Sequence, residues 1–541
     1  MSGASAMVRD GVRQAMAWLH GWTGLLLGYV LFVMCLAGTL SVFKPEIGRW
    51  MRPEVTAQAD GKSAIVAATG WLSKHAPGST GWYLTAPDGR ANTVEASYDQ
   101  GSDYLYRALD PVSGAPVARE TLGGEFFYRL HFELEIPYPW GRLLASLAAM
   151  VMLVALVTGI IAHKRIFKDF FTFRPAKGQR SWLDGHNATG VLAMPFHLMI
   201  TFTGLLTLAS LNMPWPISAG YGDKVMEMYE ALAPGSVTRP AAGKPASLAP
   251  IAPMLTAAER AFGGGHVGRV YVFNPGDAAS VVTVYQSDAD SIGYMRGQAS
   301  FDGATGRLLK SWVERRPAMR TYQVIYGLHM ARFAPMATRW LYVLGGAMLT
   351  LAISTGMVLW IAKRRERQPL SIGNRILERL NVGVITGVPL GAVAYFIANR
   401  LLPIGMAGRP EAEVSVALWT AAAAVLAGLA LRPVIGWPLM MGLLAFACAL
   451  AAVLGPVWST EPILLAGNLL FLACVAQCDD PALTLDETEI EHAFWCDADG
   501  VAAALAGDPD APFLAPPRMA VAWHLLDHWL RGAVAPSDAR A

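Results

Sequence analysis

Charge is scarce in this chain: Asp, Glu, Lys and Arg make up 16% of its 541 residues, against 54% hydrophobic residues. So few polar side chains cannot cover an ordinary soluble protein of this size, which places the chain in the membrane class. Neither sign dominates, since the net charge is +2. Nothing therefore points to a nucleic-acid partner, and the basic residues matter through where they sit. Cysteine is rare too. Cys35, Cys448, Cys474, Cys478 and Cys496 all fall outside the two long hydrophilic stretches, which must fold without disulfides.

What the chain does have is a series of uncharged runs. A bilayer span needs about 20 apolar residues, and Gly21 to Phe43 is the first run to meet that length. It reads as a retained helix rather than a cleaved signal, because it is too long and is followed by Lys44-Pro45. Comparable runs are Leu143 to Ala162, Asn187 to about Ser210, Trp340 to Ala362, Asn381 to Asn399, Val414 to Leu431, Pro433 to about Gly455, and Pro462 to Cys478. Eight spans are expected. Lys164, Arg165, Lys168, Arg174, Lys177 and Arg180 follow the second run, and Lys363, Arg364, Arg365 and Arg367 follow the fourth, which makes those connections cytoplasmic. Both termini are then cytoplasmic, and residues 44–139 and 211–337 face the periplasm. The expected order is an N-terminus and first helix (1–43), an outer domain (44–139), helices two and three with a basic loop (140–210), a second outer domain (211–337), helix four (338–362), a loop and four additional helices (363–478), and a polar tail (479–541) with one short helix near Val521 to Leu530.

The first half of this pattern repeats. Trp18-Leu19-His20 with Gly24 answers Trp182-Leu183 and His186 with Gly190, and Tyr128-Arg129-Leu130-His131 answers Tyr326-Gly327-Leu328-His329. A duplication of this kind places equivalent ligands around a pseudo-twofold axis. In the outer domains, Asp110-Pro111-Val112-Ser113-Gly114 answers Asp302-Gly303-Ala304-Thr305-Gly306. That spacing reads as a tight turn between strands, with the last Gly at positive φ. Each outer domain is expected to be a small α+β unit.

Six of the eleven histidines lie in or beside the first four helices: His20, His131, His163, His186, His197 and His329. An ionisable group at membrane depth is costly and marks function, although a lone histidine near a helix end is more often an interfacial hydrogen-bonding group. Spacing argues for ligands. His186 and His197 are 11 residues apart, which on a straight helix returns to within about 20° of one face at a separation of roughly 16 Å. One helix then serves two haems at different depths. His20, His163 and His186 supply candidates for a cytoplasmic-side haem, and His131, His197 and His329 for an outer one. Two imidazoles on one iron suit electron transfer, because no coordination site is left open for oxygen chemistry. A nonhaem metal would usually recruit carboxylates or thiolates as well, and these spans contain few.

The motifs Trp18 to Gly24 (WLHGWTG), Gly159 to Arg174 (GIIAHKRIFKDFFTFR), Trp182 to Gly204 (WLDGHNATGVLAMPFHLMITFTG) and Tyr326 to His329 resemble the PepSY-associated transmembrane family of iron-regulated inner-membrane proteins, in particular its ferric-siderophore reductase type. The likeness covers roughly residues 10 to 370. It implies an all-α polytopic protein with two small periplasmic α+β PepSY-like insertions, two haem b groups held by four of the six histidines, and an oxidoreductase activity. That activity reduces a periplasmic ferric siderophore with electrons from a cytoplasmic or quinol donor, releasing Fe(II). The last four helices and the tail depart from the family's minimal four-helix pattern.

Other features carry less. Cys478, His492 and Cys496 fit no usual metal-site spacing. Pro195 is expected to remove a backbone hydrogen bond and open helix three near His197. Phe167, Phe170, Phe171 and Phe173 in the basic loop read as interfacial anchors before they read as a docking site for an acidic donor. Trp82, Tyr83, Tyr104 and Tyr106 offer stacking surfaces, though strand-core packing accounts for most of them. Two other functions compete with the reductase: a non-enzymatic regulatory protein that binds peptide, metal or a protease through its outer domains, and a permease for iron chelates.

Overall fold

The computed structural model describes residues 2–101, 103–163, 174, 179–457, 498–506, 508 and 511. Residues 1–463 form one compact unit and 464–541 a second, within which the helix Ala498–Ala506 is described. The principal helices of the first unit are α1 (Ser2–Leu26), α2 (Gly28–Ser41), α3 (Lys44–Trp50), α4 (Gly61–His75), α5 (Glu125–Phe132), α6 (Trp140–Ala162), α7 (Gln179–Leu192), α8 (Met194–Thr207), α9 (Ile251–Phe262), α10 (Pro317–Met330), α11 (Met336–Arg367), α12 (Ile372–Leu401), α13 (Arg409–Ala430) and α14 (Pro433–Val457).

Five of them, α6 and α11 to α14, are long and apolar enough to cross a membrane. Two bent pairs, α1–α2 and α7–α8, raise the number to seven. The chain is thus a mostly helical polytopic membrane protein. Seven of the eight expected runs fall on these helices. The eighth, Pro462 to Cys478, lies outside the described residues, as do the short helix expected near Val521 to Leu530 and the group Cys478, His492 and Cys496.

The bends open helix three just ahead of His197, as expected there, and correct the reading of which histidines share its face. They measure 68° and 66° and are centred on Leu27 (φ −114°, ψ 6°) and Ala193 (φ −99°, ψ 13°), both outside the helical basin. These positions are 166 residues apart, the same offset as His20 to His186. Pro195 sits in the first turn of α8, but no proline lies near Leu27, so the break is a property of the repeat rather than of that proline. Across a 66° bend the straight-helix reckoning that put His186 and His197 on one face no longer holds.

The two outer stretches also differ from expectation, because they build one sheet together rather than two separate α+β units. Strands β1 (Gly81–Thr85), β2 (Val94–Gln100), β3 (Asp103–Leu109), β4 (Val267–Phe273), β5 (Val281–Gln286), β6 (Gly297–Asp302) and β7 (Leu308–Val313) form a seven-stranded antiparallel sheet in the order β3-β2-β1-β4-β5-β6-β7. The seam is β1 against β4, with Trp82 opposite Val272 and Leu84 opposite Val270. All four are buried on the face that α4 and α9 cover, where Ile65, Leu72, Met254 and Leu255 complete the core. Joining the halves pairs two strand edges that would otherwise be open. Both repeated turns form as expected: Gly114 (φ +71°) and Gly306 (φ +75°) close them, while Asp110 and Asp302 accept the amide hydrogens of Ser113 and Thr305 at 2.8 and 3.0 Å. Trp82 is core, whereas Tyr104 and Tyr106 on the edge strand β3 are exposed.

Asp288, just after β5, seats the sheet on the helices. It accepts from Arg269 of β4 at 3.0 Å and from Arg332, which follows α10, at 2.9 Å. Tyr294 stacks on Tyr326 of α10 at 4.3 Å between ring centres.

Candidate functional site

Each half of the repeat brings its histidines to the backbone of its own helices. On the side of the bundle away from the sheet, His20 Nδ1 lies 2.8 Å from the Ala155 carbonyl oxygen of α6, and His186 Nδ1 lies 2.8 Å from that of Ala352 in α11. On the sheet side, His131 Nδ1 lies 2.8 Å from the Met34 carbonyl oxygen of α2, and His329 Nδ1 lies 3.1 Å from that of Ile200 in α8. In every case Nδ1–H donates to a carbonyl. The tautomer is thereby set, leaving Nε2 as the free lone pair.

A glycine stands four residues after each of these carbonyls: Gly159, Gly356, Gly38 and Gly204. An added Cβ would come within 3.1 Å of His20, 3.0 Å of His186, 2.7 Å of His131 and 2.7 Å of His329 respectively. At Gly38 and Gly204 a Cβ would collide with the ring, and at Gly159 and Gly356 it would fit only if the ring gave way by a few tenths of an ångström. The arrangement is one local device used four times.

The two halves then meet. His20 and His186 have ring centres 6.0 Å apart, and so do His131 and His329, at 24° between ring planes. Two imidazoles binding one metal at about 2.0–2.1 Å from opposite sides put their centres about 6 Å apart. Both pairs join equivalent residues of the repeat, so a pseudo-twofold axis relates the members of each. Gly24 and Gly190, one turn beyond His20 and His186, have no atom within 4 Å of where a Cβ would stand. That leaves open space on the helix faces bearing the first pair.

His163 and His197 are not brought into either pair. His163 caps the end of α6, and its Nδ1 is buried without a hydrogen-bond partner. His197 is fully buried, with Nε2 3.3 Å from the Gly345 carbonyl oxygen and Nδ1 unpartnered. Neither has a counterpart in the other half, since the repeat aligns them with Trp360 and Leu31.

The sheet-side pair opens into a cavity of about 730 Å³ that runs from Met34, His131 and His329 up to Arg269 and Asp288 at the sheet. On α11 its wall includes Tyr342, Gly346 and Leu349. Ala352, which meets His186, lies six residues beyond Gly346, about 9 Å of helix rise along α11. Among the described residues, no group of three or more His, Cys, Asp or Glu is placed to hold a metal ion. The four packing glycines were not singled out as a set from sequence, although Met34/Gly38 and Ile200/Gly204 share the 166-residue offset of His20 and His186.

Comparison with known proteins gives two findings. The family model described as "PepSY-associated TM region" matches residues 17–363, a stretch that holds both bends, both histidine pairs and the whole sheet. The uncharacterized protein PA4219 of Pseudomonas aeruginosa is 27% identical over 366 residues, covering 64% of this chain and 89% of its own length.

Proposed function

Because the chain belongs to the PepSY-associated TM region family, we propose that it is a b-type haem protein of the bacterial inner membrane that moves electrons across the bilayer and reduces a periplasmic ferric siderophore. The carrying observation is the twofold pairing of histidines at two levels, each ring held through Nδ1 with Nε2 free. His20 and His186 would hold one haem, and His131 and His329 the other. Bound there, haem would supply one-electron exchange at its iron.

The residues around it do the remaining work. A backbone carbonyl that accepts the far ring N–H orients the imidazole and raises the basicity of Nε2. The glycines let the four rings enter the bundle beside helix backbone, and the open faces at Gly24 and Gly190 leave room for a planar group. A donor set of two histidines falls short of the three or four protein ligands of a zinc site, which favours a prosthetic group over a bare metal ion. At the outer level the cavity extends past His131 and His329 to the sheet, giving a ferric chelate a way in. The sheet then lies in the periplasm, and the basic run Lys363 to Arg367 in the cytoplasm.

A reduced-minus-oxidised spectrum of protein purified from haem-replete cells tests this. A low-spin b-type α-band, with its reduced form discharged on anaerobic addition of a ferric siderophore, is expected. Colourless protein overturns the haem assignment, and a band that the ferric chelate leaves untouched overturns the substrate.

A further inference from the structure

Helices α12 to α14 lie beyond the residues matched by the family model and carry none of the six histidines, yet the end of α12 and the start of α13 hold the chain just ahead of His131. Arg409 and Glu413, both fully buried, pair with each other at the start of α13. Glu413 also accepts from Asn399 Nδ2 at 2.8 Å and from the Thr121 hydroxyl. Arg409 donates to the Asn399 and Glu120 carbonyl oxygens at 2.6 and 2.9 Å, and Arg119 donates to the Asn399 carbonyl at 2.7 Å. The Tyr395 hydroxyl donates to the Gly123 carbonyl at 3.1 Å.

Aromatic packing continues the grip into α5. Phe126 and Phe127, both buried, have ring centres 4.5 Å from Tyr395 and 5.6 Å from Phe396 respectively. His131 is one turn beyond Phe127 on the same eight-residue helix. Gly123 and Gly124 complete the docking: a Cβ on either would strike the backbone of Gly48 at 2.9 Å or Lys44 at 2.3 Å. A buried ion pair whose remaining donors and acceptors are all met fixes one geometry rather than adding general stability.

We propose that α12 and α13 act as a clamp in which Glu413, Asn399 and Tyr395 are positioning residues: they fix residues 119–127 and, through α5, the setting of His131 against His329. The consequence for haem rests on the function proposed above, whereas the clamp itself does not. It gives the added helices a task that the four-helix core lacks.

Full-length Tyr395→Phe, which keeps the ring and removes one hydrogen bond, and Glu413→Gln are compared with wild type in detergent. Hydrogen–deuterium exchange of peptides spanning 121–133 is expected to be about five-fold faster in each variant, with peptides bearing His20 and His186 unchanged. Electron paramagnetic resonance of the oxidised protein is expected to show altered g-values for the outer haem only. Unchanged exchange overturns the clamp, and so does faster exchange everywhere. Faster exchange at 121–133 with an unaltered outer signal also overturns it, because the grip then stops short of His131. Should Glu413→Gln fail to fold, Tyr395→Phe alone decides. A wild-type protein without haem defeats the proposed function but leaves the exchange result to judge the clamp.

Discussion

An imidazole in a membrane bundle was bound to attract attention in the sequence, because burying an ionisable group in apolar surroundings is costly. All six candidates were visible for that reason. What spacing could not give was their pairing, since the reckoning from His186 to His197 assumed a straight helix and the helix bends by 66° between them. The glycines stayed hidden for a different reason: a glycine in an apolar helix says nothing until the ring it faces is known. Gly190 now carries a prediction. With no atom within 4 Å, the protein alone should tolerate Gly190→Leu, but a planar group on that face should not. The variant is expected to fold and to lose haem at the level of His20 and His186, as haem content and exclusion chromatography will show. A folded variant with full haem content would remove the argument from open space.

His266, immediately before β4, offers a second test. The Asp290 carboxylate hydrogen-bonds His266 Nδ1 at 2.7 Å and raises its pKa above the ordinary 6.5. A raised folded pKa means that the pair's stabilisation is full below about 6.5 and fades as pH rises through the folded value. His266 is largely exposed, so the effect is small and screened. In thermal melts, His266→Gln should lower the transition of the sheet at pH 5.5 by more than at pH 8.5. An equal or reversed difference would contradict the ion pair.

At the scale of elements, the spans and the repeated turns were legible because each rests on a local rule: length of an apolar run for the first, an Asp and a Gly at fixed spacing for the second. The single sheet was not. Its central seam joins residues almost 190 positions apart, Tyr83 and Tyr271, and alternation within a strand does not say which edge it will meet. The register is open to test by cross-linking, since directly opposed strand residues lie within disulfide range. Tyr83→Cys with Tyr271→Cys should oxidise to an intrachain disulfide, while Tyr83→Cys with Ser300→Cys, three strands along the order from β1 to β6 by way of β4 and β5, should not. Absence of both cross-links would mean that the halves fold apart, and cross-linking of the second pair alone that they meet in a different strand order.

For the whole molecule, duplication is the organising fact. The offset of 166 residues relates His20 to His186, the bend at Leu27 to that at Ala193, and Gly38 to Gly204; an offset near 197 relates Ala155 to Ala352, Gly159 to Gly356 and, within one residue, His131 to His329. Two halves arranged about one axis place like residues face to face, so each shared site takes one histidine from each half. The asymmetric parts are then the ones that need separate explanations: His163 and His197, which have no counterparts, and α12 to α14, which have no equivalent in the repeat. The most direct measurement is haem b per chain, by pyridine haemochromogen assay, in wild type and in His186→Ala, His329→Ala and His197→Ala. Two haems in wild type, one in each of the first two variants and two in His197→Ala are predicted. A wild-type protein without haem, or one in which His197→Ala loses a haem while His329→Ala keeps both, would contradict the account.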